Sequence, residues 1–242
     1  VVELTDIRFY VLNLLRRPDR RQTITRMLPP DLPVTFTSDW AGPFDGQVVS
    51  KSTLEDAGVE LYPWQIEHDD EDWCRPMKVG EIGSTLHHLA CWQDAWKGGS
   101  EPYVVVFEDD AVVPPDFLDR LLTGLRQLAD GPEFDLLYLG RVHFEPAEDT
   151  PVAPGFVRPG LSYGGHGYLL TRSGLAAVVN AGLEKAVVPV DEFLPCMYMD
   201  HPRADLAAYY PRRLRALAFD PVIVADPPRG DSDAYWTPLA DW

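Results

Sequence analysis

The chain has 242 residues, of which 38 are acidic and 21 basic, and its net charge is −17; a chain of this length can bury roughly 70–75% of its unfolded surface. With 45% hydrophobic and 24% charged residues it has ordinary globular composition, and the acidic balance excludes non-specific binding to nucleic acid or anionic membranes, which needs clustered Lys and Arg. Its longest apolar runs, residues 103–107 and 186–190, fall far short of the ~20 residues of a membrane span, and its three cysteines, Cys74, Cys91 and Cys196, form neither a disulfide framework nor a zinc motif.

In chain order, residues 7–14 are apolar and β-branched and read as a buried strand. They run into Arg16-Arg17-Pro18-Asp19-Arg20-Arg21, a helix start, and Pro29-Pro30 ends that helix. Residues 34–37 read as a second short strand, and residues 50–57 as a short helix stopped by Gly58. Residues 62–78 are aromatic and acidic without periodicity, which predicts a loop. Ile82, Leu86, Leu89, Ala90 and Ala95 recur at near-helical spacing up to Gly98-Gly99. The clearest buried strand is 103–107, followed by Glu108-Asp109-Asp110, then Pro114-Pro115-Asp116 and a helix through Leu128. Residues 135–139 predict a strand and 145–159 a Pro-rich loop. Residues 163–170 then lead into a helix over 173–183, a further helix starts near Val190, and residues 216–225 read as a strand interrupted by Pro221.

Strands alternating with helices predict an α/β fold: a mostly parallel sheet with helices on both faces, in one domain over 1–242. Its nucleotide-binding part would cover about 1–140 and its acceptor-side part about 141–242. Ligands of such sheets sit beyond the C-terminal strand ends. The residues that follow strands therefore carry most of the information.

Glu108, Asp109 and Asp110 are the sharpest signal. Three adjacent carboxylates repel one another, and a hard cation shared with substrate phosphates removes the conflict; a solvated acidic turn is the alternative. The four arginines at 16, 17, 20 and 21 suit phosphate through their fork geometry, or else form a solvated helix start. Lys78 and His88 flank a glycine-containing helix start, where anions bind well; a lone His88 is also an ordinary core residue. Asp191 and Glu192 supply either a general base or a helix cap. The run His68 to Asp72 reads as a solvated face. No nucleophile elbow, Walker loop or dinucleotide fingerprint occurs.

Taken together, Phe9-Tyr10-Val11-Leu12-Asn13-Leu14 with Arg17-Pro18-Asp19-Arg20-Arg21, Lys78-Val79-Gly80-Glu81-Ile82-Gly83 with His88 and Trp92, Val106-Phe107-Glu108-Asp109-Asp110-Ala111, and Asp135 to Arg141 resemble glycosyltransferase family 25. Residues 189–195 with His201-Pro202 look closest to its procollagen galactosyltransferase branch. The blocks follow the family's order from about residue 7 to 235.

The resemblance implies a GT-A-like fold and metal-dependent, inverting transfer of a hexose, commonly galactose from UDP-galactose, to a hydroxyl of a glycan, peptide or small molecule. By position, Asn13, Arg17, Arg20 and Asp45 would surround the nucleotide, and Lys78, Ser84 and His88 the donor pocket. Glu108 and Asp109 would lie around the ribose, sugar and metal. Asp110 would be the main ligand of Mn²⁺ or Mg²⁺. Asp191 is the first choice for the base and Glu192 the second. Where the procollagen branch has a metal-site histidine this chain has Pro227, so either Asp226 or Asp231 substitutes or the metal is held more loosely. Gly164-Gly165-His166-Gly167 replaces bulkier family residues, which implies a different donor or acceptor preference. The chain has one transferase unit and no endoplasmic-reticulum retention ending, so collagen is not the expected acceptor.

The rival reading is a catalytically silent relative that binds sugar or protein. A UDP-sugar-forming nucleotidyltransferase ranks last, because no glycine occurs between Val1 and Trp40. Targeting is unreadable from Val1-Val2-Glu3; the expectation is a soluble chain, cytoplasmic if bacterial.

Overall fold

The computed structural model describes residues 2–143, 148–225 and 233. Eight strands form one sheet: β1 (Ile7–Leu12), β2 (Val34–Phe36), β3 (Tyr103–Glu108), β4 (Leu136–His143), β5 (Thr150–Ala153), β6 (Phe156–Arg158), β7 (Ser162–Thr171) and β8 (Ala216–Phe219), in the order β2-β1-β3-β7-β4-β8-β6-β5. The helices are α1 (Pro18–Met27), α2 (Lys51–Asp56), α3 (Val79–Gly98), α4 (Phe117–Leu128), α5 (Arg172–Val179), α6 (Val190–Tyr198) and α7 (Ala204–Tyr209).

Period-two burial separates the two faces of the sheet. Tyr10, Val104, Val106, Leu136 and Tyr138 point into a core shared with α3, α5, α6 and α7. Their neighbours Phe9, Val11, Val105, Phe107, Leu137 and Leu139 point into a second core. There α1 contributes Ile24, and α4 a stripe of Phe117, Leu121, Leu125 and Leu128 at helical spacing. Helices on both faces match the sequence reading.

The expectation of a mostly parallel sheet is corrected. β1 pairs in parallel with β2 and β3, and β4 with β8, but β7 runs antiparallel to both β3 and β4, and β5-β6 is an antiparallel hairpin joined antiparallel to β8. Hydrophobic runs buried on both faces look alike in either direction, so strand content could not report it. The hairpin also replaces most of the loop expected over 145–159. Its strands are only four and three residues long and contain Pro151, too short for a periodic signal.

Elsewhere the predicted elements lie within a few residues of the observed ones. The helix expected over 173–183 ends at Val179, and a separate 3-10 turn covers Leu183–Lys185. The last strand stops at Phe219, ahead of Pro221, which has no N–H to offer a ladder. The loop at 62–78 holds neither helix nor strand. Its Trp64 and Trp73 are buried in the core. No helix among the described residues is long and apolar enough to cross a membrane.

Candidate active site

The chain leaves β1 for β2 on one side and later returns through β3 on the other. The C-terminal ends of β1 and β3 therefore flank a topological switch point, where open α/β sheets bind ligands. A cavity of about 190 Å³ opens there, lined among others by Leu12, Arg20, Ser84, Glu108, Asp109, Asp110 and Asp191.

Asn13, the first residue after β1, donates from Nδ2 to Asp109 Oδ2 at 2.6 Å and accepts from Ser38 Oγ at 2.5 Å. Arg20, in the first turn of α1, reaches Asp109 Oδ1 at 3.0 Å and Asp110 Oδ2 at 3.1 Å. The other arginines turn outward along the rim. Arg16 pairs with Asp45 through two contacts, 2.5 and 3.1 Å. Arg16 and Arg17 both donate to Asp233, at 2.8 and 2.9 Å, and Asp233 lies 3.7 Å from Arg20. Asp233 thus faces three guanidinia on this wall.

Because β7 is antiparallel, its first residues lie beside the end of β3 and beneath the cleft. Gly164, with φ +86°, donates its N–H to Asp191 Oδ1 at 3.0 Å. A Cβ on Gly165 would stand 3.4 Å from both Glu108 Oε1 and the His88 ring. The glycine run therefore lets the backbone pass close to the carboxylates.

His88 is buried completely. Its Nδ1 lies 2.8 Å from Tyr168 Oη and its Nε2 3.2 Å from Glu108 Oε1. Trp92 Nε1–H donates to Tyr168 Oη at 2.8 Å. Satisfying every group then has Tyr168 donate to Nδ1, which leaves the ring proton on Nε2, directed at Glu108. Burial pulls the His88 pKa down to about 4, so the ring is neutral at pH 7. Its neighbour His87, lowered to about 3 by burial, contacts Thr37 Oγ1 at 2.5 Å and stacks on Phe44 at 4.6 Å in the cleft wall.

The carboxylates are shifted the other way. Burial, then the Asp109 charge, raises Glu108 to about 7, although 32% of its side chain opens to the cleft. Burial and the Glu108 charge raise Asp110 to about 6 and Asp191 to about 7. Burial also raises Asp109, against Asn13 and Arg20. Groups with such shifts, gathered in a cleft, mark a candidate functional site.

Thus Arg20, Ser84, Glu108, Asp109, Asp110 and Asp191 meet at the cavity, with Asn13 and His88 directly behind them. Asp45 and Arg17 lie on the rim. Lys78 stands at the start of α3 with its backbone N–H on Glu81 and is not on the cavity wall. Glu192 is also off the wall. Trp73 Nε1 and Tyr163 Oη donate to its Oε1, and His201 Nε2 stands 2.8 Å from its Oε2. Asp226 and Asp231 fall outside the described residues.

Asp110 Oδ1 is a buried carboxylate oxygen with no hydrogen-bond partner. Such an orphan fits a hard cation that keeps waters and takes one or two carboxylates. Among the described residues no three His, Cys, Asp or Glu side chains are grouped for a metal. Sequence reading passed over His87, Phe44 and Asp233. Only His87 carried a local signal, as the neighbour of His88 on one helix.

Carboxylates and guanidinia gathered at a switch point place this chain among α/β proteins with a charged cleft at the strand ends. The family model described as "Glycosyltransferase family 25 (LPS biosynthesis protein)" matches residues 6–150. The human protein named "Inactive glycosyltransferase 25 family member 3" is 33% identical over 233 residues, 94% of this chain and 38% of its own length. "Procollagen galactosyltransferase 1" of Danio rerio is 30% identical over 220 residues, 89% of this chain and 35% of its own length. Human "Procollagen galactosyltransferase 2" is 30% identical over 221 residues, 89% and 34%. The chain spans less than two fifths of the length of these three relatives. It belongs to glycosyltransferase family 25.

Proposed function

We propose that this chain is an inverting, metal-assisted galactosyltransferase unit of GT-A type that moves galactose from UDP-galactose to a hydroxyl acceptor. The observation that carries the reading is the opposition, across one cleft, of Arg20 with the 108–110 carboxylates and Asp191 with its raised pKa.

Arg20, with Arg16 and Arg17 on the rim, would receive the diphosphate. Fork-like guanidinia suit its oxygens and the charge that grows on UDP as the sugar–oxygen bond breaks. Asn13 and Arg20 fix Asp109, and His88 contacts Glu108, so these two carboxylates would be the ones presented to the ribose and sugar hydroxyls. Mn²⁺ or Mg²⁺, held by Asp110 together with Asp226 or Asp231, would act as a Lewis acid on the leaving diphosphate. Asp191 would take the acceptor hydroxyl proton as the new oxygen–carbon bond forms opposite the departing UDP. A carboxyl near pKa 7 suits that transfer at neutral pH. Glu192, which lies off the cavity wall and whose Oε1 accepts from both Trp73 and Tyr163, is the weaker choice of base.

A second reading, a silent binding module, is favoured by the names of several relatives, which call them inactive. One experiment separates the two: UDP release from a panel of UDP-sugars, with Mn²⁺ and with chelator. Metal-dependent release from UDP-galactose supports the transferase. No release, together with UDP binding that ignores metal in calorimetry, supports the module.

A further inference from the structure

Glu192 is one of the most deeply buried charges in the chain, with 3% exposure, and it does not face the cavity. Three segments that share no strand ladder converge on it. Trp73 Nε1, from the loop at 62–78, donates to Oε1 at 3.1 Å. Tyr163 Oη, near the start of β7, donates to the same oxygen. His201, beyond α6, places Nε2 at 2.8 Å from Oε2. The Arg203 backbone N–H donates to His201 Nδ1 at 3.1 Å, which leaves Nε2 as the ring nitrogen beside the carboxylate. Arg203 in turn lies over the Trp64 ring at 4.5 Å and donates to the Trp64 carbonyl at 2.8 Å, which closes the ring of contacts back onto the loop.

The residues beside these contacts are those of the cleft. Asp191 precedes Glu192 on the first turn of α6, and Gly164, which donates to Asp191 Oδ1, follows Tyr163 on β7. The two adjacent contacts, Tyr163 to Glu192 and Gly164 to Asp191, staple one strand start to one helix start. A buried carboxylate is a demanding anchor, because any donor that leaves it exposes an unmet charge. The Tyr163 end of the staple is therefore stiff, and the Gly164 N–H is held where Asp191 needs it.

We infer that Glu192 and Tyr163 are positioning residues, which hold the Gly164 backbone and the 62–78 loop so that the Asp191 carboxylate keeps one orientation in the cleft. This rests on the reading of Asp191 as the base only for its consequence in turnover; the geometry of the staple stands apart from it.

The test compares wild type with Tyr163→Phe, which removes one hydroxyl and keeps the ring, and with Glu192→Gln, which keeps the shape. Hydrogen exchange at the Gly164 amide reads the staple directly. It should quicken about tenfold or more in Tyr163→Phe, and digestion by Glu-C protease after Glu67 or Glu71 should speed up in Glu192→Gln. For UDP-galactose hydrolysis, kcat should fall about tenfold or more in both variants, while UDP affinity by calorimetry stays within about twofold. Unchanged Gly164 exchange in Tyr163→Phe overturns the proposal, as does a loss of UDP affinity in step with kcat, the mark of general loosening. A wild-type protein that neither binds UDP nor hydrolyses the sugar overturns the transferase reading instead, and Gly164 exchange still decides the staple.

Discussion

Asn13 Nδ2 donates to Asp109 Oδ2 at 2.6 Å, joining the residue after β1 to the residue after β3 across their shared switch point. Both groups are buried, at 2% and 7% exposure. Asn13→Ala would leave a buried carboxylate short of one donor, which typically costs about 1–3 kcal/mol. Urea unfolding followed by circular dichroism should show that loss, with an unchanged slope. A midpoint equal to wild type would mean that water replaces the amide fully.

Asp110→Asn removes charge at the orphaned oxygen with little change in shape. Under the transferase reading, Mn²⁺-stimulated UDP release should fall by about a hundredfold or more, the scale of a lost electrostatic contribution. The melting temperature without metal should hold or rise, since a carboxyl raised to about 6 by burial is strained by its own charge at pH 7.5. Wild-type Mn²⁺ stimulation in this variant would take Asp110 out of the metal site.

Asp191→Asn should bind UDP as wild type does and lose transfer. In wild type the base must be ionised, so turnover should climb with pH and level off above about 7. A pH series of hydrolysis rates checks this. A flat profile from pH 5.5 to 8 would remove Asp191 from the proton transfer.

Stability of the metal-free chain should also depend on pH, with a sign that follows from the same cleft. Glu108, Asp110 and Asp191 have raised pKa values, so the folded state holds more protons than the unfolded one. Their contribution is fully present below about 4 and is lost as pH rises toward 7. His87 and His88 have lowered values, and their contribution is present above about 6.5 and lost as pH falls toward 3 to 4. The two sets oppose each other between about 4 and 6.5, and above 6.5 only the carboxylates still act. Thermal melts should therefore show the melting temperature falling from pH 6.5 to 8. A rise over that range would show that these carboxyls are not raised.

Asp233 accepts from Arg16 and Arg17 and stands 3.7 Å from Arg20, where a diphosphate would be received. An incoming anion must share or displace it. Asp233→Asn should then tighten binding of inorganic pyrophosphate several-fold in calorimetry, with a steeper loss on added salt. Weaker binding would make Asp233 an organiser of the arginines rather than their competitor.

Much of the cleft was legible before any coordinates. The 103–107 run and the triplet after it located β3 and its carboxylates, because the apolar run gives out where the strand reaches the cleft. The apolar run at 7–14 and the arginines after it did the same for β1. Lys78 and Glu192 were less legible. A helix start and a carboxylate next to Asp191 look the same in sequence whether they face a cavity or the core, and one helical step of about 100° turned Glu192 away from the wall that Asp191 faces.

By itself, the sequence determined the strand–helix alternation, the two-faced burial and the charges that follow β1 and β3, since each is written in residues close together along the chain. Only the tertiary structure decided that β7 enters the sheet antiparallel, which brings Gly164 and Gly165 beneath Glu108 and Asp191. It alone brought Trp73, Tyr163 and His201 onto one buried carboxylate. Strand direction and long-range donor–acceptor pairing are settled by how distant segments satisfy one another's backbone and buried charge, and no local pattern of residues records that.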